Sequence, residues 1–139
     1  MGTIIRPEVS EKNPYWIERH RYYELKHFCL QYPIWKKTYE AMNGLLGRPA
    51  DLVTFGKMKH VSNPTERVAI MKSYYSKRMD MIQGASEKAN SDLAEYILKG
   101  VTEGLSYEVL KIKMDIPCCK DVYYENYRKF FWILNKMRD

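Results

Sequence analysis

Pro117 limits what this chain can fold into more than any other residue. Its ring removes an amide donor and biases Ile116 away from helical geometry, so Asp115-Ile116-Pro117-Cys118 must be a break with one apolar residue pointing inward. Helical patterns flank it on both sides. Before it, Ser106 offers an N-cap oxygen, and Val109, Leu110 and Met114 recur at helical spacing. After it, from Cys119 or Lys120 onward, Tyr124, Tyr127, Phe131 and Leu134 fall at steps of three and four, and Phe130 and Ile133 widen the stripe. A short helix, a tight turn and a long helix follow. That plan is shared by helix-turn-helix DNA readers and by ordinary helical hairpins.

Side-chain chemistry bears on the choice between them. The positions expected to face outward at the start of the long helix are Lys120, Asp121, Tyr123, Glu125, Asn126 and Lys129, with Arg128 nearby. Lysine, arginine and asparagine are the types that reach phosphates and purine edges. Asp121 and Glu125 oppose phosphate unless one accepts from a cytosine amino group. The candidate DNA-contacting residues here are Lys120, Tyr123, Asn126, Arg128 and Lys129.

A third helix closes this unit from the N-terminal side. Asn90 or Ser91 is the expected cap, Leu93, Tyr96, Ile97 and Val101 give the apolar face, and Gly104 ends it. The three helices enclose an expected core of Leu93, Ile97, Leu110, Ile116, Tyr124 and Phe131. Upstream, Asn63-Pro64-Thr65-Glu66 combines an Asn cap, proline at the first helical position and a glutamate placed as in a capping box. A long helix begins there. Val68, Met71, Tyr75, Ile82, Ala85 and Ala89 follow a heptad-like spacing and call for a partner, expected within the same chain, with the equivalent helix of a second copy as the alternative.

Residues 1–13 read as a flexible tail and 14–47 as an aromatic helical hairpin. Asn13-Pro14 signals the first helix, with Trp16, His20, Tyr23, His27 and Leu30 as its stripe and an end near Tyr32. Pro33 opens the second, in which Trp35, Tyr39, Met42 and Leu46 share a face before Gly47. Residues 48–63 carry glycine and proline without helical period and form a linker or long loop, and 64–139 hold the long helix and the helix-turn-helix unit. The expected fold class is therefore all-α: an N-terminal hairpin and a long helix packed on a C-terminal trihelical unit.

The net charge of +6 is unevenly spread. Between residues 57 and 79, Lys57, Lys59, Arg67, Lys72, Lys77 and Arg78 face Glu66 alone, whereas residues 105–139 hold seven basic side chains against five acids. If nucleic acid binds, Arg67, Lys72, Lys77 and Arg78 are the expected phosphate contacts, the alternative being a solvated charged helix face. At 139 residues, 45% of them hydrophobic, the chain suits one globular domain or two small helical lobes. No apolar run reaches membrane-spanning length, and residues 1–10 lack a secretory pattern. The three cysteines, two of them adjacent, suggest free thiols and a reducing, cytoplasmic location. No metal site is expected from His20, His27 and Cys29, because Cys29 points away from His27 on a helix and no second cysteine completes a set. No cofactor is expected, and no phosphate loop or nucleophile motif suggests an enzyme.

The string GLSYEVLKIKMDIPCCKDVYYENYRKFFWIL, with HRYYELKHFCLQYPIWKK before it, resembles a family of small prophage proteins from Firmicutes. Its last third is similar to phage late-gene transcription regulators of the ArpU and RinA type, whose helix-turn-helix resembles the last one of sigma factors. The residues that carry this resemblance are Ile116, Pro117, Cys119, Lys120, Tyr124, Arg128 and Lys129, with Cys119 where those regulators place a small hydroxyl cap. The resemblance implies a DNA-binding transcriptional regulator with duplex DNA as partner, host RNA polymerase or another protein as a further candidate, and a homodimer as a candidate assembly. The alternative is a helical protein-interaction module, such as a packaging adaptor or an inhibitor of a host protein, whose Tyr and Trp side chains form the interface.

Overall fold

The computed structural model describes residues 13–43 and 64–138. The expected tail, apart from Asn13, and the expected linker over 48–63 lie outside the described residues, as do Leu46, Gly47 and the Asn63 cap. The fold is all-α. Six helices make it up among the described residues: α1 Arg19–Leu30, α2 Tyr32–Asn43, α3 Pro64–Ala89, α4 Ala94–Glu103, α5 Tyr107–Met114 and α6 Lys120–Arg138.

Contacts divide the chain into two compact units, one made of the residues up to Gln31 together with those from Met81 onward, the other of Tyr32–Asp80. The expected hairpin is thereby divided between them. Its first helix carries Tyr22, Leu25, Phe28 and Cys29 on one buried stripe, and these find a large apolar surface on α4 and α6. In the second unit Met42 and Val68 are buried together, with Met71 and Tyr75 packed against them. Lys72 Nζ donates to Asn43 Oδ1 and lies 5.0 Å from the centre of the Tyr39 ring. The expected partner of the long helix is thus found within the chain.

In the first unit α4 touches α1, α5 and α6, and α6 touches α1 and α5. All six expected core residues are buried, joined by Ile82, Ala85, Ala89, Phe130 and Leu134. Local signals set the boundaries. Gly104 takes a left-handed φ of 69° and closes α4, Ser106 Oγ accepts from the Val109 amide to start α5, and Asp115 takes φ 51° to end it. Ile116 then turns fully inward, as expected.

The start of α1 differs from expectation. Asn13 Oδ1 accepts from the Tyr15 amide and Asn13 O from the Trp16 amide, so Asn13-Pro14 makes a turn, and the helix begins only where Glu18 Oε1 caps the amides of His20 and Arg21. Asn90 behaves similarly: its side chain accepts from the Asp92 and Leu93 amides and caps the turn ahead of α4. An asparagine side chain satisfies a tight turn as readily as a helix start.

Candidate nucleic-acid interface

Residues 115–119, between α5 and α6, are held by side chains of α5, and Tyr124 of α6 ties back to the start of α5. Lys111 Nζ donates to Ile116 O at 3.2 Å, Tyr107 Oη donates to Cys118 O at 2.7 Å, and Tyr124 Oη accepts the Tyr107 amide at 3.2 Å. With Ile116 as the apolar plug, this fixes where α6 begins. Tyr107 and Lys111 were not among the expected site residues, although their helical positions beside the Pro117 break were visible in the sequence.

The expected outward ridge of α6 is only partly present. Tyr123 is completely buried, its ring 6.0 Å from that of Tyr107 and 5.0 Å from that of Tyr124, so it belongs to the core and offers nothing to a groove. The reason is that Tyr123 points into the three-helix unit itself, where its hydroxyl ends against Gly100 of α4 and its ring lies beside Tyr107 of α5. Burial accordingly pushes the Tyr123 phenol well above its ordinary range, with Tyr124 adding to the effect.

Lys120 lies at the rim, 2.9 Å from Glu108 Oε2 on α5. The hydrogen bond from Lys120 holds the Glu108 carboxyl below its usual range, and Glu108 in turn raises Lys120. Asn126 donates from Nδ2 to Val122 O of its own helix, and Lys129 is half-buried. Arg128 is half-buried as well, with its Nε turned away from solvent. Asp121, Val122 and Glu125 are the exposed members of the first two turns. Asp121 also suits a helix N-terminus electrostatically. The outward ridge therefore carries Lys129 beside Asp121 and Glu125, while Lys120, nine residues from Lys129 and so on the opposite side of the helix, stays with Glu108. Ile112 on α5 is 84% exposed and Val122 on α6 is 43% exposed.

The remaining expected contacts lie in the second unit. Lys72 is engaged with Asn43 and Tyr39, Arg67 is half-buried, and Lys77 is exposed. The Arg78 guanidinium stacks 3.6 Å from the centre of the Tyr74 ring and donates to Tyr74 O. His20 and His27 are exposed while Cys29 is buried, its thiol pushed far up by desolvation. Among the described residues no helix is long and apolar enough to cross a membrane. Comparison with protein-family models, curated proteins and solved structures gives no match.

Proposed function

We propose that this chain is a phage or prophage DNA-binding protein, a transcriptional regulator that presents the start of α6 to the major groove and acts in the cytoplasm. The observation that carries the reading is the turn between α5 and α6, pinned at Ile116 O and Cys118 O, which holds the start of α6 against α5 as a helix-turn-helix reader requires. Lys120, Asn126 and Lys129 supply the base-edge and phosphate contacts of that helix, and either Asp121 or Glu125 can accept from a cytosine amino group. The resemblance of residues 105–139 to late-gene regulators supports the same reading. Tyr123 has no part in it, being core.

The experiment is fluorescence anisotropy with a pool of duplex DNA from the flanking genome over a salt series. A subset that binds with a negative slope of log affinity against log salt is expected, with Lys120→Ala and Lys129→Ala each weakening it, Lys129→Ala leaving thermal stability unchanged and Lys120→Ala costing only the small contribution of its surface pair with Glu108. Absence of binding at low salt, or unchanged affinity in both variants, sinks the assignment. The exposure of Ile112 and Val122 favours a second reading, a helical module that docks a protein through the same α5–α6 surface. Ile112→Ser with Val122→Ser separates the two, because it removes an apolar protein contact without changing the charge that DNA would meet.

A further inference from the structure

Two thiols sit side by side in the turn ahead of α6. Cys119 is exposed and Cys118 half-buried, whereas the third cysteine, Cys29, is shut away in the core. The backbone that carries the pair is fixed: Tyr107 Oη donates to Cys118 O, and Cys119 O accepts the Tyr123 amide in the first turn of α6. The surroundings favour negative charge. The pair precedes a 19-residue helix whose first amides point back toward it, and the Lys111 ammonium is tied to the same turn through its bond to Ile116 O. Beyond the desolvation by its surroundings, the Cys118 thiol feels Cys119, whose charge disfavours its own, and Lys111, whose charge favours it. Two thiolates this close call for a cation between them.

We infer that Cys118 and Cys119 together hold one soft monovalent cation, of which copper(I) is the type, as a two-thiolate site. The number of ligands selects the ion. Structural zinc takes four protein ligands, and among the described residues no group of three or more histidine, cysteine or acidic side chains could supply a set. Hard cations such as calcium and magnesium call for oxygen ligands. Copper(I) selects thiolates and binds stably with two. The bound unit keeps a single negative charge, since two thiolates outweigh one positive ion, and that charge lies where the start of α6 and Lys111 favour it. Each thiol gives up its proton to solvent as the ion binds, and no electron is transferred. The other use of adjacent thiols, an internal disulfide, is disfavoured by length: Cα atoms joined by a trans peptide are about 3.8 Å apart, whereas disulfides span about 4.4–6.8 Å. The inference goes beyond the DNA-binding reading and does not depend on it.

Anaerobic titration of the full chain with copper(I), against a coloured copper(I) chelator, reads the site directly. One ion per chain is expected to be held, with no change in sedimentation. Cys118→Ser and Cys119→Ser should each weaken binding by at least about tenfold, since even residues that only support metal ligands matter on that scale. Cys29→Ser should leave the affinity unchanged, and zinc should be lost to a competing chelator. A wild-type chain that yields all its copper to the chelator, an affinity indifferent to either serine variant in the turn, or one ion shared between two chains would each overturn the pair as a site. Zinc held with the same sensitivity to both variants would overturn the choice of ion. If Cys118→Ser loses its helical circular dichroism, Cys119→Ser decides the matter, because that side chain is exposed and its replacement leaves the packing intact.

Discussion

The Tyr123 hydroxyl ends against Gly100, so that a methyl group added at position 100 would overlap it, with Leu110 Cδ1 at 3.3 Å on the same side. Gly100 is thus required by close approach, since it lies inside α4 and away from any turn. Replacing it with alanine should cost about 1–3 kcal/mol from overpacking, in spite of a gain of about 1 kcal/mol in helix propensity. The Tyr123 oxygen has no hydrogen-bond partner among the described residues, so Tyr123→Phe should leave stability unchanged or raise it. The double variant should be more stable than Gly100→Ala alone. Urea unfolding of the four proteins gives the coupling, and simple additivity would refute the overlap.

The Glu108–Lys120 pair predicts a pH response of known sign. Glu108 has a lower carboxyl value folded than unfolded, so the contribution of the pair is present above the ordinary glutamate value and is lost as pH falls through the lower, folded one. A side-chain carboxyl NMR titration should place Glu108 below ordinary glutamate, and Lys120→Met should return it upward. Glu108→Gln should also release Lys120 and strengthen DNA binding. An unchanged affinity would mean that Lys120 makes no phosphate contact.

At Asp115 the backbone is left-handed, with φ 51° and ψ 52°. Asp115→Gly should hold or raise stability, whereas Asp115→Val should cost about 1–2 kcal/mol, because a side chain branched at Cβ resists that conformation. Thermal melts of the two variants order them. Equal melting would indicate that the turn relaxes elsewhere.

Thiol reactivity should separate the three cysteines. Cys119 is exposed and should react first with a disulfide reagent, while Cys118 is half-buried, its thiol raised by desolvation and then by Cys119, and should lag behind it. Cys29 is fully buried and should react only on unfolding. Mass mapping after timed quenching reads the order. Early labelling of Cys29 would show that α1 opens locally.

Much of the fold was legible because single residues carry its punctuation: Pro64, Gly104, Ser106 and Pro117 each set a boundary through a missing donor, a left-handed φ or a capping oxygen. The inward stripe of Ile97, Leu110 and Phe131 followed from period alone. Tyr123 was less legible, since tyrosine suits a core and a groove equally and its burial depends on the approach of Gly100 on α4 and Tyr107 on α5, which the period of its own helix does not reveal. The grouping of α1 with the C-terminal helices was hidden for the same reason, as sequence proximity to α2 says nothing of where its apolar stripe finds the larger surface. On the candidate site, charge type was readable but engagement was not. Lys120 is tied to Glu108 and Lys72 to Asn43 by tertiary packing, which no local pattern encodes.

Arg21 on α1 reaches Asn135 on α6 through two donors, Nε to Oδ1 at 2.6 Å and a terminal nitrogen to the backbone carbonyl at 3.3 Å, while the Tyr22 and Tyr127 hydroxyls meet at 2.8 Å. These contacts span more than a hundred positions. During synthesis α1 therefore emerges from the ribosome with Tyr22, Leu25 and Phe28 uncovered; α4 can cover part of this stripe, and the rest is sheltered only after the last turns of α6 have been translated. Such long-range closure slows folding and lengthens the time for which an aromatic surface is open to chaperones.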